Sequence, residues 1–399
     1  MSNMYQVKVA IVGAGSAGIS IASRLLRKAP SLKDKVMIID PSEKHYYQPL
    51  WTLVGGGAAE LKDSVRDQKT LIPDGALWLK EEVIAFNPEK NTLKTKEKRE
   101  IQYEYLVVAT GVKIYWDKIK GLKETIGRNG VCSNYSHKTV ESTWENIKKF
   151  NGGTAIFTQP STQVKCGGAP QKIMYLADDY FRKSGVRHKA NIIFASGLPN
   201  IFAVKRYAET LEEVVKRKEI DTKFRVELIE IDGPNKKATF QNLDNQEVFT
   251  LNYDMIHVTP PMGPHDFIAK SPIADDAGWV DVDKYTLRHK VYHNIFGAGD
   301  CTNLPTSKTG AAIRKQAPVV ADNLIALMNG KEMTAQYNGY TSCPLVTGYN
   351  KLVLAEFDYD KNPEESFPID QSKERMSMYI MKKDFLPIMY WNGMLKGLM

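Results

Sequence analysis

Cysteine is scarce in this sequence, which has four of them among 399 residues. So few cysteines exclude a small fold held together by disulfide bonds, and a disulfide that forms here is expected to be catalytic. The chain also lacks a run of about 18 apolar residues, so no membrane-spanning helix is predicted. No apolar stretch near its start is typical of a secretory signal peptide, and we therefore expect the cytoplasm as the compartment.

Basic residues exceed acidic ones, and the formal net charge is +8. This excess favours contact with an anionic surface such as a membrane face. Blocks of about five consecutive Lys or Arg residues do not occur, so no nucleic-acid partner is predicted. No metal site is predicted either. A length of 399 residues allows two or three domains with cores of their own.

Apolar runs alternate with amphipathic stretches over most of the chain, which is typical of parallel, doubly wound α/β sheets. Strands are predicted at residues 7–12, 36–39, 106–109, 154–158, 191–195, 255–258 and 295–296. Helices are predicted after the first strand, through residue 28, and over residues 309–327. Residues 331–399 lack this alternation and are predicted to form a C-terminal segment.

A glycine-rich turn, with Gly13, Gly15 and Gly18, joins the first predicted strand to the first helix. The first glycine allows a tight turn, the second lets backbone N–H groups approach a diphosphate, and the third allows close packing of helix and strand. Asp40 ends the second predicted strand, where an acid binds ribose hydroxyls. Together these features predict a dinucleotide site.

The corresponding motif is missing from the second α/β unit. After the strand at 154–158 there is no glycine spacing of the kind that an NAD(P)H site needs. Cys166 stands in this turn instead, flanked by Lys165 and two glycines. A neighbouring lysine and a helix N-terminus lower the pKa of a thiol. We therefore expect a small, sulfur-reactive electron donor rather than a nicotinamide.

Two later segments resemble those of the flavoproteins that have two dinucleotide-binding domains. They are Leu106-Val-Val-Ala-Thr-Gly111 and Asn294-Ile-Phe-Gly-Ala-Gly-Asp300. The resemblance implies tandem Rossmann-like domains, with Asp300 at the ribityl chain of FAD and the next helix start directed at the flavin ring. The other cofactor-binding residues of these segments and of that helix start are Thr110, Gly111, Lys308, Thr309 and Gly310. A solvated lysine at a helix start is the alternative for Lys308.

Five segments resemble the sulfide:quinone oxidoreductase family, in particular the branch that includes the mitochondrial enzyme of animals. They are residues 45–54, 164–175, 340–350, 356–359 and 370–375. The resemblance extends over nearly the whole chain and implies that Cys166 and Cys343 form a redox-active pair. The positions that it implies as FAD contacts are Ser16, Ala17, Asp40, Gln48 and Val83.

By this resemblance, hydrosulfide attacks Cys343 of an oxidised pair and leaves a persulfide there, while Cys166 departs as a thiolate and delivers electrons to FAD. The implied partners are hydrogen sulfide, a membrane quinone, and a sulfur acceptor such as sulfite or a low-molecular-weight thiol. The alternatives are a type II NADH:quinone reductase, a flavocytochrome-type subunit, and a non-enzymatic flavin or persulfide sensor.

Other reactive side chains have less certain roles. Cys132 stands roughly where some bacterial relatives have a third cysteine, and a redox role and a structural role are both open. Cys301 is expected to be packed beside the flavin. His137 and His257 are single histidines with either a structural or a proton-transfer role. Gln171 and its neighbours stand where those relatives carry a glutamate, so no general base is assigned.

Residues 376–399 are rich in Met, Leu and aromatic side chains, with lysines between them. We predict two short amphipathic helices, broken at Pro387, that lie in a membrane interface without spanning it. Docking on the protein's own core or on a second subunit is the alternative. We expect a peripheral protein on the cytoplasmic face of the cell membrane, and formation of a homo-oligomer is left open. The predicted domains are 1–150 and 286–330 for FAD binding, 151–285 for the second Rossmann-like unit, and 331–399 for the C-terminal segment.

Overall fold

The structure is a computed structural model that describes residues 4–399. The strands in chain order are β1 Met4–Val12, β2 Val36–Ile39, β3 Lys44–Tyr46, β4 Val65–Asp67, β5 Ala76–Leu79, β6 Val83–Asn87, β7 Thr92–Thr95, β8 Glu100–Val108, β9 Lys113–Ile114, β10 Val131–Cys132, β11 Gly153–Gln159, β12 Ala190–Ser196, β13 Asp221–Phe224, β14 Val226–Asp232, β15 Lys237–Asn242, β16 Val248–Asn252, β17 Met255–His257, β18 Met262–Gly263, β19 Ile295–Gly297, β20 Thr341–Gly348 and β21 Lys351–Phe357. The α-helices are α1 Ser16–Lys28, α2 Trp51–Gly55, α3 Leu122–Thr125, α4 Val140–Lys149, α5 Ala169–Lys183, α6 Lys205–Arg217, α7 Asp266–Ala269, α8 Gly310–Met328, α9 Met376–Ile380 and α10 Leu386–Asn392.

The first sheet has seven strands, in the order β5-β2-β1-β8-β7-β6, with β19 beside the end of β8. β1 pairs in parallel with β2 and β8. The inner residues of β1, from Val9 to Val12, are buried because helices cover the sheet, and α1 packs against α8. A strand covered on both faces needs a continuous apolar run, which is the pattern that predicted it.

The second sheet has five parallel strands, in the order β10-β17-β11-β12-β13. α5 follows β11 and α6 follows β12, so each helix connects two neighbouring parallel strands. β10 already belongs to this sheet, so the chain enters it before residue 150. These two sheets confirm the predicted α/β class with tandem Rossmann-like units.

A β-hairpin of β20 and β21 covers the space between the two units, and the sequence analysis did not predict it. Cys343 lies in β20 opposite Ala355 of β21. Both strands are almost entirely buried, and β20 packs against α5 and α8. Because the hairpin is buried on both faces, its sequence lacks the polar–apolar alternation that identifies a surface strand.

The C-terminal segment is helical from Met376 to Asn392, with a π-helical turn at Met381–Phe385 between α9 and α10. The predicted break at Pro387 is therefore wrong. Proline has no N–H, and its ring collides with the carbonyl four residues earlier in a regular α-helix. The wider π turn directly before Pro387 allows the helix to continue. Within residues 4–399, no helix is both long enough and apolar enough to cross a bilayer.

Candidate active site

The turn between β1 and α1 has the geometry that its glycines predicted. Gly13 has a φ of 104°, and a Cβ there would lie 2.4 Å from the carbonyl oxygen of Ala109. A Cβ on Gly18 would lie 1.9 Å from the carbonyl oxygen of Gly13, so this glycine brings α1 close to the turn. A Cβ on Gly15 would meet no atom within 4 Å. The N-terminus of α1 therefore has open space in front of it.

That space belongs to a cavity of about 840 Å³ at the carboxyl ends of the parallel strands. Its volume and its glycine-lined anion site fit a flavin dinucleotide. The predicted cofactor residues that line it are Gly13, Gly15, Ser16, Ala17, Asp40, Gln48, Val83, Thr110, Gly111, Asp300, Lys308, Thr309 and Gly310. Gly18 does not line the cavity, because it serves the packing of α1.

Asp40 stabilises the turn directly. Its Oδ2 accepts a hydrogen bond from the Ala14 N–H at 2.7 Å, and its Oδ1 accepts one from the Ser42 N–H at 2.8 Å. The carboxylate is half-buried and lines the cavity. Its place at the end of β2 agrees with the expected ribose contact, and it orients the Ala14 peptide as well.

Asp300 and Lys308 are an acidic and a basic side chain that both line the flavin cavity. Burial raises the pKa of Asp300, and burial lowers the pKa of Lys308. The Lys308 ammonium donates to the carbonyl oxygen of Thr302 at 2.9 Å and lies 3.9 Å from the ring centre of Trp279. Lys308 is thus a buried side chain, which excludes the alternative of a solvated lysine at the helix start.

Cys166 lies three residues before the start of α5, in the turn that follows β11. Its φ is 59°, a left-handed conformation that is uncommon outside glycine and that recurs at functional sites. Its N–H donates to the carbonyl oxygen of Lys308 at 2.7 Å, so the turn is bound to the start of α8. Cys166 lines the cavity, which its thiol shares with the predicted flavin residues.

Cys166 and Cys343 are free thiols in this structure, and their environments differ. A hydrogen bond from Cys343 lowers the pKa of Cys166 well below its ordinary value, against the effect of burial, and the cation of Lys172 adds to it. Cys343 is fully buried, does not line the cavity, and has its pKa raised by the same hydrogen bond and by burial. The two environments therefore favour the thiolate form at Cys166, which lines the cavity, and the protonated form at Cys343.

The lysine beside Cys166 is not the one that sequence adjacency suggested. Lys172, on the first turns of α5, places its Nζ 3.2 Å from Cys166 Sγ. Lys165 instead donates to Gln48 Oε1 at 2.6 Å, and burial lowers its pKa to about 8. On α5, a residue six positions after Cys166 turns back toward the helix start, which a local reading of the sequence does not reveal.

Lys382 is a site residue that the sequence analysis missed. It lies in the π turn, is buried, and donates from Nζ to the carbonyl oxygen of Pro49 at 2.9 Å. Burial and the nearby Lys172 ammonium lower its pKa, the two cysteine sulfurs oppose them, and the resulting pKa is about 7. The sequence presented it as one of several lysines in an interfacial helix, because only the fold brings the π turn to the cysteines.

In the turn that follows β11, a carboxyl group binds a backbone N–H that a dinucleotide would need. Glu227 of β14 accepts the backbone N–H of Ser161 at its Oε2, at 2.7 Å. A Cβ on Gly197 would lie 2.5 Å from the Ser161 nitrogen and 2.7 Å from the same carboxylate oxygen. The Glu227 carboxyl group thus occupies the position where a diphosphate would need a free N–H. This arrangement disfavours the NADH-dependent alternative.

The remaining cysteines are packed side chains. Cys132 is fully buried, donates to the Ile256 carbonyl oxygen at 3.5 Å, and has its pKa raised by burial to about 12. Cys301 is buried and donates to the Val108 carbonyl oxygen at 3.4 Å. Both environments favour the neutral thiol, which is the less reactive form.

The two histidines also differ from each other. His257 is fully buried, and its Nε2 accepts the N–H of Asn134 at 3.0 Å. Burial lowers its pKa to about 3, so it stays neutral at physiological pH. His137 stacks on Tyr46 with ring centres 4.6 Å apart.

The fold and the site define a class of protein. The family model described as "Pyridine nucleotide-disulphide oxidoreductase" matches residues 7–148, the segment that contains the glycine turn and Asp40. This match agrees with a flavin cofactor in the cavity.

Individual relatives narrow the class. The chain is 50% identical to "Sulfide:quinone oxidoreductase, mitochondrial" of Mus musculus, over 99% of this chain and 87% of the relative. It is 52% identical to the protein of the same name from Dictyostelium discoideum, over 98% and 86%. The structure of the sulfide:quinone oxidoreductase from Aquifex aeolicus has the same fold, with a TM-score of 0.85 at 20% identity over 98% of this chain and 92% of that one. The chain belongs to the sulfide:quinone oxidoreductase family.

The predicted location on the cytoplasmic face of the cell membrane is wrong. Both eukaryotic relatives at about half identity are named as mitochondrial proteins, which points to the mitochondrion instead. The error has a simple cause. An amphipathic segment and a positive charge indicate contact with an anionic interface, but neither property distinguishes one membrane from another.

Proposed function

We propose that this protein oxidises hydrogen sulfide with the Cys166–Cys343 pair and passes two electrons through FAD to a membrane quinone. The observation that carries the proposal is the asymmetric thiol pair, with Cys166 on the flavin cavity and Lys172 at 3.2 Å from its sulfur. A low thiol pKa beside a cofactor cavity is the environment of a redox cysteine rather than of a packed one.

FAD is the flavin that the cavity fits best, since the turn at Gly15 offers a diphosphate site and Asp40 a ribose site. When bound, FAD supplies a two-electron relay between the thiols and the quinone. Asp300 and Gly310 line the cavity, and we propose that Asp300 holds the ribityl chain and that the start of α8 adds positive potential near the ring.

The sulfur chemistry begins from the disulfide form of the pair. Hydrosulfide attacks Cys343, the S–S bond breaks, and Cys166 leaves as a thiolate, which its low pKa favours. A nucleophile then takes the outer sulfur of the Cys343 persulfide and frees the Cys343 thiolate. The Cys343 and Cys166 thiolates can then rejoin as the disulfide, and a bound FAD would accept the two electrons that they release and supply them, with two protons, to the quinone. Because Cys343 is fully buried, the side chains around it must move to admit hydrosulfide.

The sulfur acceptor is proposed to be a small anionic nucleophile such as sulfite or a low-molecular-weight thiolate. Lys172 and Lys382 are two buried lysines close to the pair, and together they favour an anion. Deprotonation of Lys382, whose pKa is about 7, reduces this potential as pH rises.

An anaerobic sulfide titration followed by flavin absorbance tests the proposal. Cys166→Ser and Cys343→Ser should each slow sulfide-dependent bleaching on the order of 10³-fold or more, because each removes one end of the disulfide. Cys132→Ala is the matched control and should bleach normally. NADH should bleach none of these proteins. Bleaching of either pair variant at the rate of the unmodified protein contradicts the proposal.

Membrane contact is proposed for the outer face of the C-terminal segment. The exposed large apolar side chains of this segment are Met376, Ile380, Phe385, Ile388, Met389 and Leu398. Lys383 and Lys396 are exposed beside them and suit anionic lipid headgroups. The opposite face docks on the protein, so the two alternatives of the sequence analysis apply to different faces of one segment.

Co-sedimentation with anionic vesicles tests this contact. Phe385→Ser with Ile388→Ser should reduce binding by about tenfold, because each change removes exposed apolar area. Val248→Ser with Val291→Ser removes similarly exposed apolar side chains outside the segment and is the control. Equal binding of both double variants would exclude the segment as the membrane face.

A further inference from the structure

One tyrosine connects the C-terminal segment to the nucleotide turn. Tyr390 of α10 is buried, and its hydroxyl lies 2.7 Å from Ser16 Oγ and within hydrogen-bond distance of His45 Nε2. Ser16 opens α1 directly after Gly15. The last α-helix of the chain thus contacts the turn that the preceding sections assign to the flavin diphosphate.

The direction of each hydrogen bond in this network follows from its neighbours. His45 Nδ1 lies 3.1 Å from the carbonyl oxygen of Ala14, which can only accept, so Nδ1 carries a proton. Burial lowers the pKa of His45 to about 4, so the ring is neutral at pH 7 and its Nε2 accepts. Tyr390 therefore donates to His45, and Ser16 donates to the oxygen of Tyr390.

Hydrogen bonds hold both peptide groups that flank the Cα of Ala14. Its carbonyl oxygen accepts from His45 and from Gln68 Nε2, the latter at 3.0 Å. Its N–H donates to Asp40 Oδ2 at 2.7 Å. Because these two peptide groups are fixed, the backbone N–H groups at the start of α1 keep the orientation that an anion requires. A change at Tyr390 therefore reaches the diphosphate site through His45.

The residues that follow Tyr390 pack against α1. Ser23 Oγ donates to the Leu395 carbonyl oxygen at 2.7 Å, and Arg24 donates to the Met399 carbonyl oxygen at 3.2 Å. Gly397, with a φ of 68°, lies so close that a Cβ would be 2.7 Å from the Arg24 nitrogen. The residues of this segment that line the flavin cavity are Leu386, Met389, Tyr390, Met394 and Met399. Residues 386–399, here named the C-terminal lid, therefore form one wall of the cavity.

We propose that the C-terminal lid and the flavin bind cooperatively, with Tyr390 and His45 as positioning residues for the diphosphate turn. The docked lid orients the turn, and a flavin on the turn retains the lid. By linkage, each increases the affinity of the protein for the other by the same factor. The proposal depends on a flavin in the cavity and is independent of which substrate reduces it.

Flavin release from the holoprotein tests the tyrosine. After dilution, the recovery of flavin fluorescence should be about 3- to 10-fold faster for Tyr390→Phe than for the unmodified protein, because one hydrogen bond is lost. Tyr379→Phe is the matched control: Tyr379 is buried in α9, and no hydrogen bond among residues 4–399 involves its hydroxyl. Its release rate should be unchanged.

Limited trypsin digestion tests the lid without any substitution. Lys383 and Lys396 are exposed on both sides of Tyr390 and report undocking of the lid. Saturating FAD should slow cleavage there in the unmodified protein and in Tyr379→Phe, and should protect Tyr390→Phe less. FAD-independent cleavage of the unmodified protein, or release from Tyr390→Phe at the unmodified rate, would overturn the proposal. The first outcome applies even if Tyr390→Phe does not fold.

Discussion

At the end of β1 the chain leaves open space before a helix N-terminus, whereas at the end of β11 it fills the corresponding region with its own side chains. A Cβ on Gly15 meets nothing within 4 Å. Near the end of β11, Glu227 accepts a hydrogen bond from the N–H of Ser161, and Cys166 precedes α5. The two turns share a strand–turn–helix topology and differ in what their residues leave room for.

The difference teaches that a helix N-terminus favours an anion without specifying which one. In the first unit, the open turn offers this site to the diphosphate of a cofactor. In the second unit, Cys166 stands before α5, and Lys172 of that helix places its Nζ 3.2 Å from the sulfur and helps to lower the pKa of the thiol. A fold with two nucleotide-binding topologies can therefore bind one nucleotide and use the second unit for sulfur.

The largest effect is expected from Gly15→Ala, which should abolish flavin binding at the turn between β1 and α1 and preserve the fold. Gly15 has a φ of −75°, which alanine adopts readily, so the methyl group would only enter the open space. Flavin affinity should fall on the order of 100-fold or more, because the diphosphate loses its close approach to the backbone. Flavin absorbance of the purified protein and the unfolding temperature of the apoprotein measure the two effects.

Gly13→Ala provides the contrast to this change. A Cβ at Gly13 would collide with the Ala109 carbonyl at 2.4 Å, so this variant should lose stability as well as flavin. A normal flavin content in Gly15→Ala would show that the open turn is not the diphosphate site.

Lys172→Met should weaken the anion site of the second unit. Without this cation the pKa of Cys166 should rise, so the thiolate forms only at higher pH. The pH profile of thiol alkylation in the reduced protein should move upward, and sulfide-dependent flavin reduction near neutral pH should slow by about 10-fold or more.

Lys165→Met is the control for this change. Lys165 contacts Gln48 and is not among the groups that shift the pKa of Cys166, so its removal should leave the alkylation profile in place. If the alkylation profile moves upward equally in Lys172→Met and Lys165→Met, the effect comes from the general positive charge and not from the contact of Lys172 with Cys166.

A smaller effect is expected from Glu227→Ala, which removes the acceptor at Ser161. The loss of this solvent-exposed hydrogen bond should lower the free energy of unfolding by about 1 kcal/mol or less. Sulfide should still reduce the flavin at its normal rate, and NADH should remain inactive, because the glycine spacing of a second site is absent. Flavin reduction by NADH in this variant would mean that the carboxylate alone closes the second site.

Local patterns predicted most of the fold and the flavin residues. The glycine spacing before α1, the acid at Asp40 and the apolar runs of the parallel strands are short-range features with direct geometric consequences. Lys172 and Lys382 escaped prediction for the opposite reason. Their relation to Cys166 arises from the turn of α5 and from a π turn more than 200 residues further along the chain.

The sequence by itself determined the first nucleotide turn, the absence of a second one, and the cysteine pair through its family motifs, because each depends on residues that are neighbours along the chain. The tertiary structure decided which lysine contacts Cys166, that Cys343 lies behind it in a buried hairpin, and that Tyr390 contacts the nucleotide turn. Those contacts join residues separated by six to several hundred positions. Helix geometry and packing bring them together, and both are collective properties of the whole fold.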